Sequence, residues 1–432
     1  MTLPPVRGNP GLRATAARVV EEALLSRRPA DALLARAGAR LDDRDRRLLA
    51  ELVYGTLRWL RRLDHVLVAA AGRPIDRIDP ALRCPLRIGA LQLLALERIP
   101  PHAAVSEAVE EAKRLGGRGA ASFANAVLRA IARRPEWRAW PVEERDPRRR
   151  LAIEASHPDE LVERWWERFG EERTRAIVAA NNGERQMHLL AFADRGGREA
   201  LANRLRREGV ETRPSATSAC GLVVVAGAPL ATAAYGDGDF YVQDEASQAA
   251  ALVPPPRAGE RVLDAAAAPG GKGLALLASE PSARVVFADR SLARLGRVRA
   301  NLRRLGRRAA IAAADATSPP WRAAFDRVVL DAPCTGTGTL RRHPELRWRF
   351  RAEELARLAA ESLHLLTALA PAVASGGCLV LVTCSIEREE NEEVTARFLA
   401  AEERFRPAGD PWRLLPVDGH DGFSVAVLRR AE

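Results

Sequence analysis

The chain has 432 residues with a formal charge of +11, and 47% of them are hydrophobic, which excludes a wholly disordered protein and allows two or three domains with cores. No stretch approaches the roughly 20 continuous apolar residues that span a bilayer, so no membrane association is expected. Five scattered cysteines without a CxxC pair exclude a disulfide scaffold and predict a cytoplasmic protein with reduced thiols.

The first 140 residues are predicted to form an all-helical domain, because apolar side chains recur at helical spacing without strand-like alternation. Short connections, such as Gly116-Gly117, favour a compact bundle. The predicted helices are Arg13–Leu25, a long helix from Asp42 through Leu60, Pro80–Leu96, Pro101–Leu115 and Ala120–Ala132.

The positive charge is concentrated in this N-terminal part. Residues 1–150 hold 29 Lys and Arg against 18 Asp and Glu, whereas residues 151–432 hold 38 of each. A basic domain beside a neutral body is typical of a polyanion-binding attachment, most often for nucleic acid, because phosphate contacts release counterions. A solvated arginine-rich surface would give the same count, and that alternative stays open.

Residues 141–235 are predicted to hold a linker and a small α+β subdomain. The segment 135–150 is rich in proline and charge, as linkers are. Helices are expected near Pro158–Phe169 and Arg198–Glu208, and strands near Met187–Ala193 and Leu222–Ala226.

Residues 236–432 alternate strands with helices, which predicts a parallel sheet covered on both faces. The helices are expected at 291–305, Ala352–Val373 and Glu389–Ala401. The expected strands are Arg261–Ala266, Arg284–Asp289, Ala309–Asp315, Phe325–Asp331, Cys378–Cys384 and Phe423–Arg429.

An adenine nucleoside site is predicted at the carboxyl ends of these strands, where ligands of open α/β sheets bind. Residues 261–272 have the pattern of a strand, a glycine turn and a helix start, without the spacing of phosphate-binding loops. Asp289 is placed to accept from ribose hydroxyls and Asp315 to lie near an adenine amino group, and Asp331 ends the fourth predicted strand. Helix capping is the alternative for each carboxylate.

Two cysteines follow adjacent strands at the same edge. Cys334 lies in the block 331–334 (DAPC) and Cys384 in the block 383–385 (TCS). A thiolate at such a position can act as a nucleophile when its pKa is lowered or a base lies nearby. The other three cysteines, Cys84, Cys220 and Cys378, are predicted to be buried hydrophobes.

The blocks around these cysteines resemble those of RNA cytosine-5 methyltransferases. They are DAPCTGTGTLRRHPELRW (331–348), LVTCSIEREEN (381–391), LDAAAAPGGK (263–272) and YVQDEASQ (241–248). Four N-terminal blocks resemble the NusB-like RNA-binding domain, namely LVYGTLRW (52–59), LRIGALQLLALERIP (86–100), AVSEAVEEAK (104–113) and FANAVLR (123–129).

Together these blocks cover nearly the whole chain. They are similar to bacterial 16S ribosomal RNA cytosine-5 methyltransferases of the RsmB (Sun/Fmu) type. The resemblance implies a multidomain protein: an all-α NusB-like bundle, a small α+β (RRM-like) subdomain and an α/β Rossmann-like class I methyltransferase domain, with predicted bounds of 1–140, 141–235 and 236–432.

The resemblance also implies catalytic roles. Cys384 is the nucleophile that adds to C6 of a cytosine, which makes C5 able to accept a methyl group from S-adenosyl-L-methionine. Asp331 holds the N3/N4 edge of the base and lies near the cofactor. Cys334 supports loss of the C5 proton and the release of Cys384.

The same resemblance assigns binding residues. Asp289 would hold the cofactor's ribose and Asp315 its adenine end. Arg341, Arg342 and His343 resemble the family's substrate-side loop, with simple exposed basic residues as the alternative. The residues implied to cradle the methionine part are Ala266, Ala267, Ala268, Pro269, Gly270, Gly271 and Lys272.

This chain departs from the family pattern at two positions. Ala266 stands where cysteine is usual, and Ser424 stands where a second aromatic is common. Both lie outside the two cysteine blocks, so the implied chemistry is unaffected. Lys272 is one of only two lysines in the chain, which favours a compact single charge at that position as a hypothesis.

The predicted function is methylation of a cytosine in small-subunit (16S) ribosomal RNA, by a monomer without a metal. A loop cytosine is expected, because the base must leave its stack to react. The same chemistry on transfer RNA or another RNA is the alternative. A non-catalytic RNA-binding assembly or antitermination factor is the alternative from another class, but it has no need for Cys334, Cys384 and Asp331 together.

Overall fold

The computed structural model describes residues 11–26, 28–140, 142–417 and 419–432. The chain forms two compact units. The first comprises Met1–Asn182 with Arg342–Arg349, and the second comprises Gly183–Arg341 with Phe350–Glu432. The three-part division predicted at residues 140 and 235 stays a prediction.

Helices make up the regular structure described in the first unit. α3 begins after Asp42, whose carboxylate accepts a hydrogen bond from the Asp45 N–H at 2.8 Å. Its buried face carries Leu52, Leu57 and Leu60, as the helical spacing predicted. The α-helices of this unit are α1 (Leu12–Leu25), α2 (Ala30–Ala37), α3 (Asp43–Ala71), α4 (Pro80–Ala95), α5 (Pro101–Ala132), α6 (Pro147–Glu154), α7 (Asp159–Asn182) and α13 (Glu345–Arg349).

The predicted helix breaks agree with this arrangement. α5 is interrupted at Gly116 and Gly117, both of which have non-helical dihedral angles, so it consists of the two predicted limbs. α2 was not predicted, because its eight residues directly follow Pro29, which interrupts the helical pattern, and are too few to show a clear repeat. α6 begins at Pro147, inside the segment that the sequence predicted as linker, and its N-cap Asp146 accepts from two backbone N–H groups.

A buried arginine anchors α13 within this helical unit. Arg347 has none of its surface exposed, and its guanidinium donates to the Ser156 carbonyl at 3.0 Å and to Asn182 Oδ1 at 2.9 Å. It also donates to the Asn181 carbonyl at 3.2 Å. Burial, together with the charge of Arg58, lowers the pKa of the Arg347 guanidinium to about 9. Three otherwise buried acceptors thus depend on one side chain.

Replacing Arg347 by methionine is expected to destabilise the helical unit by about 2–4 kcal/mol, because apolar substitution leaves buried carbonyl oxygens without donors. Urea unfolding of the full chain, followed by tryptophan fluorescence, measures the change. Arg118→Met is the matched control, since Arg118 is an exposed arginine in the same unit. A shift no larger than that of the control would contradict the anchoring role.

The second unit contains a small antiparallel sheet with strand order β2-β3-β1-β4. Two of its strands, β1 and β3, were predicted, whereas the short outer strands β2 and β4 were not. Its elements are β1 (His188–Ala191), α8 (Gly197–Arg207), β2 (Glu211–Pro214), β3 (Gly221–Ala226), α9 (Ala233–Gly236) and β4 (Phe240–Val242).

The larger sheet of this unit has eight strands. Its path is β10-β12-β9-β8-β5-β6-β7, and β11 pairs with β12. The strands are β5 (Arg261–Asp264), β6 (Arg284–Asp289), β7 (Ala310–Ala313), β8 (Phe325–Asp331), β9 (Val373–Thr383), β10 (Phe405–Pro407), β11 (Trp412–Leu414) and β12 (Phe423–Arg430). The helices are α10 (Glu245–Ala251), α11 (Gly271–Ser279), α12 (Leu292–Arg304), α14 (Ala352–Leu369) and α15 (Glu392–Ala401).

Both faces of this sheet are covered, as predicted. Val262 and Val329 pack in a core with α10, α11 and α12, whereas their neighbours Leu263 and Val328 pack on the opposite face with α14 and α15. The five strands β5 to β9 are parallel, but β12 pairs antiparallel with β9, β10 and β11, so the sheet is mixed. Within the described ranges, no helix is both long and apolar enough to cross a membrane.

Candidate active site

The carboxyl ends of the parallel strands bring three acids and one cysteine to one edge of the sheet. β5, β6 and β8 end in Asp264, Asp289 and Asp331, and Cys384 follows the last residue of β9. In the strand register, Asp331 lies opposite Val382 of β9. Parallel strands expose their carboxyl ends on a common edge, which is where open α/β sheets bind ligands.

A glycine turn joins β5 to α11 and keeps its backbone close to this edge. The Ala267 N–H donates to the Ala288 carbonyl at 2.8 Å, which ties the turn to β6. Gly270 has a φ of +111° at the start of α11, a conformation that side chains rarely adopt. The predicted cradle 266–272 therefore forms one continuous loop and helix start beside Asp289.

The Asp264 carboxyl group stabilises this turn. Its side chain has no exposed surface, and Oδ2 accepts from the Gly273 N–H at 2.9 Å. Burial, with a smaller effect of the Asp331 charge, raises the pKa of the Asp264 carboxyl to about 7. Asp264 thus supports the loop and holds a proton more readily than an ordinary aspartic acid.

Asp289 presents a free acceptor beside the loop. Its Oδ1 accepts from the Ser291 N–H at 2.9 Å, whereas its buried Oδ2 accepts no hydrogen bond from the described residues. Arg294 Nη2 lies 3.6 Å from that oxygen. Asp315 differs: it is exposed, and its Oδ1 accepts from the Thr317 N–H and hydroxyl, which lower the pKa of its carboxyl.

These features fit an adenosine cofactor. The buried Asp289 Oδ2 needs a donor, and a ribose hydroxyl supplies one. The turn beside it exposes backbone at the start of α11, where unpaired N–H groups favour a carboxylate such as that of methionine.

Lys272 carries a positive charge to the end of β8. Its Nζ lies 3.1 Å from Asp331 Oδ2 and 3.2 Å from Ser247 Oγ, while the Phe423 ring centroid is 4.9 Å away. The Lys272 side chain is 7% exposed, but that of Asp331 is 39% exposed. The ion pair therefore holds the carboxylate in place while leaving it open to a ligand.

The two predicted thiols meet at this edge. The sulfurs of Cys334 and Cys384 lie 3.5 Å apart and share a hydrogen bond in which either can be the donor. The hydrogen bond with Cys384, burial and the nearby charges of Glu390 and Asp331 raise the pKa of Cys334 well above its usual range. Cys334 is thus harder to deprotonate than an ordinary cysteine.

Buried contacts fix the loop that carries Cys334. Glu390 accepts from the Thr335 N–H at 2.7 Å and from its hydroxyl at 2.6 Å. Gly338 donates to the Cys384 carbonyl at 2.9 Å, and a Cβ at this position would lie 2.2 Å from the Gly422 carbonyl oxygen. Only glycine permits this approach, so the two cysteine loops are locked together.

Comparison with known proteins assigns the chain to a family. A probable ribosomal RNA small subunit methyltransferase B of Bacillus subtilis is 35% identical to it, over 90% of this chain and 92% of that protein. The ribosomal RNA small subunit methyltransferase B of Vibrio cholerae is 35% identical over 91% of this chain and 92% of its own length. The chain belongs to the RsmB family of ribosomal RNA methyltransferases.

Family models and a solved structure agree with the three predicted fold types. The NusB family matches residues 11–133, the ferredoxin-like domain of RsmF/B-like methyltransferases matches 157–231, and the 16S rRNA methyltransferase RsmB/F model matches 251–414. The crystal structure of PH0851 covers 99% of this chain and 100% of its own, with a TM-score of 0.79 and 24% identity, and it shows the shared fold. The chain is thus an RNA methyltransferase of an S-adenosylmethionine-dependent family.

The basic triplet predicted to contact RNA is divided between the two units. Arg341 belongs to the second unit, is 3% exposed and lies 3.7 Å from both Asp244 Oδ2 and Asp421 Oδ1. Arg342 and His343 belong to the helical unit and are half-buried. Arg341 is therefore engaged by protein carboxylates, and the RNA-contact roles of all three stay predictions.

Several residues that shape the site were not singled out from the sequence. Glu390 and Gly338 fix the cysteine loops, and Ser247 holds Lys272. Asn391 donates to the Ser385 carbonyl at 3.1 Å and the Glu387 carbonyl at 2.6 Å, which shapes the turn after Cys384. Glu390 and Asn391 lie inside the block 381–391. Their burial among polar groups identifies their role, and burial is a feature that the sequence does not display.

Proposed function

We propose that this chain methylates C5 of a cytosine in small-subunit ribosomal RNA through a covalent bond between Cys384 and C6. The observation that carries the proposal is the pair of thiols 3.5 Å apart at the strand ends. An RNA methyltransferase that acts on a nitrogen or a ribose oxygen has no need for two such thiols, whereas C5 of cytosine is a poor nucleophile until C6 is attacked.

The cofactor S-adenosyl-L-methionine, when bound, supplies the methyl group. The loop 266–272 holds its methionine part at the start of α11, and Asp289 accepts from its ribose through the buried oxygen that lacks a donor. Asp315, at the exposed end of β7, takes the adenine side. These assignments rest on the residue types and on the shared sheet edge.

The Cys384 sulfur forms the bond to C6, a role that follows from the resemblance of the block 381–391 to that of RNA cytosine-5 methyltransferases. Asp331 accepts from the cytosine N4 amino group and holds the base against that sulfur. Lys272, 3.1 Å from the Asp331 carboxylate, keeps this side chain oriented. The partly exposed Asp331 side chain, at 39%, is accessible to a base that enters from solvent.

Cys334 assists the last step. The pKa of the Cys334 thiol is raised first by its hydrogen bond with Cys384 and next by burial. Once the Cys384 sulfur is bonded to C6, that hydrogen bond is weakened, and so is the first cause of the raised pKa. Cys334 then gives its proton to solvent more readily and, as the thiolate, removes the C5 proton, after which Cys384 leaves the base.

The NusB-like domain positions the RNA, and the second unit selects the base. The excess positive charge of the first 150 residues supports phosphate contacts in that domain. A loop cytosine fits this division, because extruding it from a loop costs less than from a duplex. The expectations of a monomer, without a metal and in the cytoplasm, remain predictions.

The test uses the full chain, methyl-labelled S-adenosylmethionine and unmodified small-subunit RNA. The expected result is label in 5-methylcytosine at one position of that RNA, located by nuclease mapping and mass spectrometry. Transfer RNA in a parallel reaction tests the alternative substrate. Equilibrium dialysis with S-adenosylhomocysteine verifies that the protein is folded and binds cofactor.

Each outcome decides one part of the proposal. Label confined to transfer RNA would overturn the ribosomal substrate while retaining the chemistry. Label at a nitrogen or ribose oxygen would overturn the C5 chemistry. No label from a protein that binds S-adenosylhomocysteine would overturn the activity on this RNA.

A further inference from the structure

The distance between the two active-site thiols permits disulfide formation as well as the proposed methyl transfer. Their sulfurs are 3.5 Å apart, and a disulfide bond requires about 2.05 Å, so rotation of the two side chains spans the difference. Their loops leave neighbouring strands β8 and β9, joined by the bond from Ala332 N–H to the Val382 carbonyl at 2.8 Å.

The surroundings favour this pair over the other thiols. Cys334 and Cys384 are half-buried at the ligand edge, where a small oxidant can reach them. Cys84 and Cys378 are core residues, 6% and 4% exposed, so an oxidant reaches their sulfurs less readily. Among the described residues, the structure shows a sulfur–sulfur hydrogen bond between Cys334 and Cys384.

We propose that Cys334 and Cys384 form a reversible disulfide with hydrogen peroxide, and that this modification switches methyl transfer off. The disulfide follows from the geometry alone. Its effect on activity rests on the proposed function, because it removes the nucleophile Cys384 and the assisting thiol Cys334 together.

The chemistry balances with peroxide as the oxidant. The Cys384 thiolate attacks one peroxide oxygen and breaks the O–O bond, giving a sulfenic acid and hydroxide, which takes up the proton that Cys384 had lost and becomes water. The Cys334 sulfur then attacks the Cys384 sulfur, and the sulfenic hydroxyl leaves with the Cys334 proton as a second water. Two thiols lose two electrons, and one peroxide is reduced to two waters.

Because the two cysteine loops are held together, the disulfide forms faster than Cys384 is oxidised a second time. The Glu390 contacts at 2.7 and 2.6 Å to Thr335 hold Cys334 beside its partner. The Gly338 bond to the Cys384 carbonyl holds the other loop. A resolving thiol at this distance intercepts the sulfenic acid before a second peroxide reaches it, so Cys384 is protected from irreversible oxidation.

The experiment treats the full-length protein with peroxide in the absence of RNA. Free thiols are then blocked with N-ethylmaleimide, and the protein is digested and mapped by mass spectrometry without reduction. We expect a peptide that links residues 334 and 384, a loss of methyl transfer of about 100-fold or more at full linkage, and recovery of both with dithiothreitol.

Two variants serve as controls. Cys220→Ser removes a half-buried thiol outside the site and should leave both the linked peptide and the basal activity unchanged. Cys334→Ser removes the resolving thiol, and peroxide should then carry Cys384 to the sulfinic acid, which dithiothreitol does not reverse.

The outcomes separate this proposal from the proposed function. Sulfinic acid at Cys384 of the unaltered chain, with no linked peptide, would overturn the disulfide. Undiminished transfer by fully linked protein would overturn the switch. A linked peptide in protein that shows no transfer before oxidation would overturn the proposed function but uphold the disulfide.

Discussion

Replacing Cys384 by alanine is expected to abolish methyl transfer, with a fall of about 10⁴-fold or more in turnover. The reason is chemical: without the sulfur, C6 of the cytosine receives no bond, and C5 stays too weak a nucleophile to accept a methyl group. The measurement is label transfer from S-adenosylmethionine to small-subunit RNA under single-turnover conditions, where product release does not limit the rate.

A cysteine on β9, the strand that precedes Cys384, provides the control. Cys378 lies six positions earlier and is 4% exposed in the core, so Cys378→Ala removes a thiol from β9 without touching the site. We expect this variant to lose stability, by about 1 kcal/mol, and to keep its activity. Both variants should bind S-adenosylhomocysteine as the unaltered chain does. Retained transfer in Cys384→Ala would move the nucleophile to Cys334.

The sequence alone allowed much of the site to be predicted, because periodicity and strand ends are local features. β6 and β8 have the predicted bounds, and their last residues, Asp289 and Asp331, lie at the predicted edge. The rarity of lysine singled out Lys272, which the structure shows buried and paired with Asp331. Parallel strands place their last residues at one edge of the sheet, so these residues can be predicted to lie together without knowledge of the side-chain packing.

The antiparallel end of the sheet was harder to predict. β10 and β11 have three residues each, so one arginine between two apolar positions, Arg406 or Arg413, is too short an alternation to indicate a strand. Their pairing with β12 depends on backbone hydrogen bonds between residues that are well separated in the sequence. The same reason applies to β2 and β4 of the small sheet.

The surroundings of the basic triplet required the tertiary structure. The resemblance assigned Arg341, Arg342 and His343 to one substrate-side loop, with exposed basic residues as the alternative, whereas Arg341 lies buried between Asp244 and Asp421. Those carboxylates are 97 and 80 positions away along the chain, so no local pattern indicates the ion pairs. A buried arginine between two acids is costly to displace, which makes a direct RNA contact by Arg341 depend on opening both pairs.

The second prediction of large effect concerns Cys334. Cys334→Ala is expected to leave Cys384 able to attack C6 and C5 able to receive the methyl group, but to stall removal of the C5 proton. The covalent protein–RNA complex should therefore accumulate. A denaturing gel detects it as a labelled band of increased mass, and mass spectrometry of the digested band locates the RNA on Cys384.

The double variant Cys334→Ala with Cys384→Ala is the control, because it lacks the sulfur that forms the bond and should give no band. A band in the double variant would show that another residue bonds to the RNA, and full turnover by Cys334→Ala without a band would remove Cys334 from the release step.

Release of the covalent complex should also depend on pH. Since Cys334 acts only after losing its proton, release by the unaltered chain should accelerate as pH rises, whereas the residual release of Cys334→Ala should lack that dependence.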